Sequence, residues 1–226
     1  MKKSVIALAA VCAAMFALPS VASAGVWHLE PEDGSTTQTL SFSGGTSRLV
    51  TVEPGGDVKS GEIHCDSVSG SGSYENTTTG TLSLLFHSCE DKGTGATCTT
   101  SGLSSGTIET TALTFHNVLI QANTPGILIT PNSSTNVFAH FVCGFIVPVT
   151  IDGNGVIGDV TLSCGQTGVT SGEVDFELEN NTQKYKQVTG TGTVYQLTRA
   201  SNNHIGGQEG TGSVTNSKKS KVNCTA

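Results

Sequence analysis

Charge is scarce in this chain: Asp, Glu, Lys and Arg make up 13% of 226 residues, against about a quarter in an ordinary soluble domain. Aromatics are scarcer still, at 5% with a single Trp. Apolar residues almost never recur with a 3.6-residue period, which excludes coiled coils and long amphipathic helices. A formal net charge of −7 and a pI near 5.2 offer nothing to a phosphate backbone, so no nucleic-acid partner is expected. Beyond the N-terminal segment no apolar run approaches the roughly 18 residues of a membrane-spanning helix, so no membrane span is expected.

What fills the chain instead is Gly, 28 residues of it, with Ser, Thr and Asn, a composition that favours strands joined by tight turns. Hydrophobic content, 36%, is high enough for a packed core. Period-two alternation marks Thr39–Phe42, Arg48–Val52, Thr81–Phe86, Thr107–Ile120, Gly126–Thr130, Asn136–Val142 and Phe145–Ile151. It continues through Val156–Ser163, Glu173–Leu178, Tyr185–Val188, Thr193–Leu197 and Lys221–Cys224. Turn signals such as Asn123-Thr124-Pro125-Gly126 and Asp152-Gly153-Asn154-Gly155 separate the runs. About a dozen short strands predict an all-β fold, an antiparallel β-sandwich or barrel-like structure. Residues 25–226 read as a single β-domain, with a C-terminal lobe over 166–226 where the composition turns first charged and then Gly-rich.

The first 24 residues read as a signal peptide. Lys2 and Lys3 precede an apolar stretch from Val5 to Leu18, and Ala22-Ser23-Ala24 is an A-x-A cleavage signal. Cleavage is expected after Ala24, giving a secreted, extracellular chain. Cys12 lies inside the apolar stretch behind Val11, which does not make a lipoprotein signal. Removing it leaves Cys65, Cys89, Cys98, Cys143, Cys164 and Cys224, an even set that predicts three disulfides in an exported chain. No C-x-x-C is present, which speaks against a zinc ribbon or a thioredoxin-like site. Spacing favours Cys89–Cys98 around a polar Gly-containing segment and Cys143–Cys164 across a hairpin, leaving Cys65–Cys224.

Two motifs resemble active-site signatures but sit in the wrong context. Gly153-Asn154-Gly155-Val156-Ile157-Gly158 matches a dinucleotide fingerprint, yet Asp159-Val160-Thr161-Leu162 continues as strand where a helix N-terminus is required. It reads as a hairpin turn, and no cofactor is expected. Gly102-Leu103-Ser104-Ser105-Gly106 matches a nucleophile elbow but is followed by extended β-branched sequence, so it reads as a turn. Asp152, Asn154 and Asp159 form a partial calcium-loop pattern, a weak metal alternative because Val156 stands where an oxygen ligand belongs. The six His residues form no H-x-H or H-x-x-x-H pair.

The sharpest constellation is Glu173-Val174-Asp175-Phe176-Glu177-Leu178-Glu179, whose carboxylates share one strand face. Glu173, Asp175 and Glu177 resemble the E-x-D-x-E signature of jelly-roll glycoside hydrolases of the laminarinase and lichenase type. That resemblance implies a nucleophile at Glu173, an acid/base at Glu177 and a tuning carboxylate at Asp175. Against it, a regular strand separates Glu173 and Glu177 by roughly 13 Å, whereas a retaining pair needs about 5–5.5 Å. The lone Trp27 is also too little aromatic surface for a polysaccharide cleft.

At larger scale the chain resembles a group of uncharacterised secreted proteins of actinobacteria. The likeness is carried by Thr79-Gly80-Thr81-Leu82-Ser83-Leu84-Leu85-Phe86-His87-Ser88-Cys89, Phe138-Ala139-His140-Phe141-Val142-Cys143 and Lys221-Val222-Asn223-Cys224. It implies export and a disulfide-bonded β-fold, with no activity attached. The expectation is therefore a non-catalytic secreted protein that binds a carbohydrate or cell-envelope component. The alternatives are a glycoside hydrolase on the acidic strand and a structural surface or matrix protein.

Overall fold

The computed structural model describes residues 25–54, 59–121, 123–132, 135–145 and 147–225. The expected signal peptide, residues 1–24 with Cys12, lies outside them. The described residues contain strands and turns, and no helix long and apolar enough to cross a membrane. In chain order the strands are β1 (Val26–Pro31), β2 (Thr39–Val52), β3 (Lys59–Cys65), β4 (Ser67–Tyr74), β5 (Thr79–His87) and β6 (Glu90–Asp91). Next come β7 (Ala96–Thr99), β8 (Ile108–Glu109), β9 (Leu113–Gln121), β10 (Thr124–Pro131), β11 (Val137–Cys143) and β12 (Val147–Gly153). The last are β13 (Val156–Val160), β14 (Val169–Phe176), β15 (Leu178–Glu179), β16 (Thr182–Gln183), β17 (Leu197–Arg199) and β18 (His204–Thr225).

The fold is all-β, and its main sheet is antiparallel throughout and closes on itself twice. One ring of eight strands runs β18-β14-β13-β10-β9-β5-β4-β2 and returns to β18. A second ring of eight runs β2-β3-β6-β7-β11-β12-β17-β18 and returns to β2. The rings share only the long strands β2 and β18, and closure leaves few free edges for pairing with another chain. Thr39 to Gly44 of β2 pair with β4, whereas Ser47 to Val52 pair with β3. Where the two halves meet, β18 carries a bulge at Gly210–Gly212, with Gly210 at φ +148°.

One hydrophobic core runs through both rings. It includes Leu82, Phe115 and Val160 of the first with Phe141, Val149 and Leu197 of the second. A smaller cluster lies outside the first ring, where Val188, Tyr185 and Tyr195 cover Val118, Ile120, Leu128 and Ile157. This explains why Val118-Leu119-Ile120 is buried on both faces and breaks the alternation that precedes it.

The C-terminal third departs from its sequence reading. Of the lobe expected over 166–226, β14 and β18 are integral to the main sheet, and β18 spans the Gly-rich stretch as one strand of 22 residues. The runs Tyr185–Val188 and Thr193–Leu197 are irregular up to Leu197 and pack outside the ring, because their apolar residues are what seals the outer cluster. The turn at 152–155 joins no hairpin either. β12 pairs with β11 and β17, while β13 pairs with β10 and β14, so Gly153 to Gly155 carry the chain from one ring to the other.

Three disulfides form, with pairings that correct all three expected from spacing: Cys65–Cys89, Cys98–Cys143 and Cys164–Cys224. Cys65 of β3, Cys89 just ahead of β6, Cys98 of β7 and Cys143 of β11 stand side by side in the second ring, and all four are buried. In an antiparallel sheet a residue's N–H and C=O face the same neighbouring strand. Wide hydrogen-bonded and narrow non-hydrogen-bonded pairs therefore alternate along such a row. Cys98 N–H donates to the Cys89 carbonyl at 2.9 Å, while the Cys89 N–H goes to the Gly106 carbonyl at 2.8 Å, so 89/98 is a hydrogen-bonded and hence wider position. The narrow positions are 65/89 and 98/143, with Cα atoms 4.1 and 4.0 Å apart, and there the sulfurs join. Cys164 meets Cys224 instead of Cys143 because the loop after β13 lies against β18, with Gly165 N–H donating to the Val222 carbonyl at 2.7 Å.

Candidate functional site

The end of β2 and start of β3, the end of β6 and start of β7, the end of β11 and start of β12, and the end of β17 and start of β18 all lie at one end of the second ring, its mouth. Between them opens a cleft of about 490 Å³, lined by Thr51, Gly61, Asp91, Val149 and Arg199 among others. That volume falls in the range of small-molecule sites. Strand registers show how these residues come to face inward. Thr51 stands opposite Gly61, and Ile63 opposite both Leu49 and Asp91, on the same face as buried Cys65. Arg199 stands opposite Ile151, a buried core residue, and two residues beyond buried Leu197 on the same face.

Arg199 is thus a cation on the apolar face of a strand. Its Nε is buried without a hydrogen-bond partner, and the Nη1 atom lies 3.7 Å from where a Cβ on Gly61 would sit. No other described residue hydrogen-bonds or ion-pairs with its guanidinium. Among the described residues, the other charged side chains lining the cleft are engaged. Glu62 contacts Arg48, Lys59 and His64, Lys92 contacts Glu90, and Asp91 Oδ1 accepts the Gly93 N–H at 2.8 Å. At the tip of the β11–β12 connection Phe145 is fully exposed, and Val147 beside it is about half exposed. An unpaired guanidinium under an apolar rim suits an anion presented on an apolar body.

The acidic strand lies elsewhere, on the outer face of the first ring. Glu173 is exposed, Asp175 Oδ1 accepts a hydrogen bond from Thr211 at 2.8 Å, and Glu177 has left β14 to pair with Lys184. The nearest carboxylate across the ladder is Asp159, directly opposite Asp175. Burial, with the charges of Asp175 and Glu177 added, raises the Asp159 pKa, and its Oδ1 is buried without a partner. The cleft at the mouth is lined by none of Glu173, Asp175 or Glu177.

The residues of the partial calcium pattern go to separate tasks. Asp152 accepts a hydrogen bond from Thr198, while the Asn154 side chain accepts the Gln196 N–H and donates to the Val194 carbonyl, both at 2.8 Å. Asp159 sits on β13 in the other ring. Among the described residues no group of three or more His, Cys, Asp or Glu is placed to hold a metal. Ser104 lies in a turn with its hydroxyl 3.0 Å from that of Thr107. Comparison with family models, with curated proteins and with solved structures finds no match.

Sequence reasoning passed over Arg199, yet the signal is present. Extending the Thr193–Leu197 alternation by two residues puts Arg199 on the apolar face of Leu197. A charge in that position marks either a buried ion pair or a site.

Proposed function

We propose that this is an exported, non-catalytic binding protein of the cell envelope or its surroundings, whose ligand enters the mouth of the second ring. The observation that carries this reading is Arg199, turned inward in a cleft of about 490 Å³ with its Nε unpartnered. Three disulfides, two of them within the core, suit an oxidising compartment. A closed eight-stranded ring is the size of barrel that either fills with side chains or holds one small ligand. The acidic strand is less suited to hydrolysis, because Glu177 is engaged with Lys184 and Asp175 with Thr211.

The test is binding of the purified, disulfide-bonded protein to a panel of envelope polysaccharides and envelope extracts, scored by co-sedimentation and by thermal stabilisation. Stabilisation or co-sedimentation that weakens in Arg199→Gln is expected. Absence of binding to the entire panel would overturn the reading. Reducing sugar released from β-glucans by the wild type, and lost in both Glu173→Gln and Glu177→Gln, would replace it with a glycosidase.

A further inference from the structure

Behind the mouth lies a second space, a cavity of about 150 Å³ inside the shared core, lined almost wholly by apolar atoms of residues such as Leu84, Phe86, Phe138 and Phe141. A cavity of similar size and lining in another protein stays dry and accepts benzene. Leu49, Ile63 and Ile151 line both spaces, so one layer of side chains is all that stands between cleft and cavity. Each of the three is tied to the mouth by register. Ile151 stands opposite Arg199, and Ile63 opposite Leu49 and Asp91. Inward from exposed Phe145 and Val147, an unpaired guanidinium is thus followed by a layer of three aliphatic side chains and then by an apolar void.

This gradient has the polarity of a particular molecule. We propose that the second ring takes an anionic amphiphile, a medium-chain carboxylate, with its head group on Arg199 and its alkyl chain directed past Leu49, Ile63 and Ile151 into the core cavity. The proposal rests on the mouth being a binding site, and it names the class of ligand. A guanidinium pairs a carboxylate through two parallel N–H···O bonds. With Lys59, Lys92 and Arg48 already on Glu62 and Glu90, Arg199 is the cleft-lining cation free to do so among the described residues. Asp91, which lines the same cleft from β6, disfavours a multiply charged anion and leaves room for a monoanion. The cavity's size limits the chain, since a long acyl chain exceeds a space that suits a benzene-sized group.

The experiment is calorimetric titration of the intact, disulfide-bonded protein with acetate, hexanoate, octanoate, dodecanoate and 1-octanol. Octanoate is expected to bind at least about tenfold tighter than octanol, through charge-assisted hydrogen bonds, and acetate to show no saturable binding. Arg199→Gln should equalise octanoate and octanol, and Arg199→Lys should restore part of the difference. The chain-length series uses the wild-type protein alone, so it decides the matter even if Arg199→Gln fails to fold. Equal affinity for octanoate and octanol would overturn the head-group assignment, and acetate binding as tightly as octanoate would overturn the chain path. Binding of an envelope polysaccharide without any amphiphile would sink this inference while sparing the wider reading. Silence from both sets of ligands would remove both.

Discussion

Asp159 and Asp175 stand directly opposite each other across the β13–β14 ladder, two carboxylates on one face of the sheet. Like charges in that position are destabilising, and Lys184 is engaged with Glu177 nearby. Burial and then the charges of Asp175 and Glu177 hold the Asp159 pKa above its ordinary 3.8. A carboxyl raised in the folded state contributes most stability when protonated, and that contribution is lost as pH rises through the raised value. Asp159→Asn is therefore expected to be more stable than wild type at pH 7, by less than about 1 kcal/mol for a partly exposed group. Urea unfolding at a series of pH values checks this, and the gap should close as pH falls towards 3.8. A variant less stable than wild type at pH 7 would contradict the assignment.

The row of four cysteines makes a prediction about connectivity. Peptide mapping of the unreduced protein should recover Cys65 with Cys89, Cys98 with Cys143 and Cys164 with Cys224. Removing one pair as a double Ala variant is expected to cost about 2–4 kcal/mol. The chain-entropy model places the Cys164–Cys224 link, which spans 60 residues, above the Cys65–Cys89 link, which spans 24, by roughly 0.8 kcal/mol. Recovery of a Cys89–Cys98 peptide would show that the wide position is bridged after all.

Much of the fold was legible because each strand alternates locally. Leu113-Thr114-Phe115 and Val149-Thr150-Ile151 declare their inner faces without reference to anything else. What was not legible depends on neighbours. The β4 sequence Ser67-Val68-Ser69-Gly70-Ser71-Gly72-Ser73-Tyr74 carries too few apolar residues to read as a strand. It is one because Gly70 and Gly72 sit against β5 so closely that a Cβ on either would lie 2.5 Å from a β5 carbonyl oxygen. The cysteine pairing required knowing which strands are adjacent, and which pairs along a row are narrow. Arg199 was hidden for the opposite reason: its local pattern is plain, but one residue facing inward gains meaning only once seven other strands close around it.

The crossover between rings supplies a sharper test of topology. Gly153 has φ +137°, and a Cβ there would lie 2.1 Å from the carbonyl oxygen of Gln196. Both the backbone conformation and the steric contact penalise a side chain, and the contact arises because Gly153 pairs with Leu197 of β17. Gly153→Ala is expected to lose about 2–4 kcal/mol, whereas Gly34→Ala, at φ +75° with nothing near its Cβ position, should lose about 1 kcal/mol or less. Thermal unfolding of the two variants side by side measures the difference, and equal losses would argue against the crossover.

A buried polar pair in the first ring gives the last prediction. The Tyr74 hydroxyl donates to Asn117 Oδ1 at 3.1 Å, and Asn117 Nδ2 donates to the Thr77 carbonyl at 3.3 Å. Both residues are buried, and the Tyr74 ring meets Phe115 edge-on at 4.8 Å between centroids. Tyr74→Phe keeps the ring contact and removes only the hydroxyl, so the buried Asn117 oxygen loses its donor. An acceptor left unsatisfied costs about 1–3 kcal/mol. Replacing both partners, as in Tyr74→Phe with Asn117→Leu, should recover part of that loss, because no polar atom is then stranded. Trp27, the single Trp of the chain and itself buried with its indole N–H on the Gly126 carbonyl at 2.7 Å, reports unfolding by fluorescence without added probes. If Tyr74→Phe is as stable as wild type, the hydrogen bond contributes nothing, and the pair is held by packing alone.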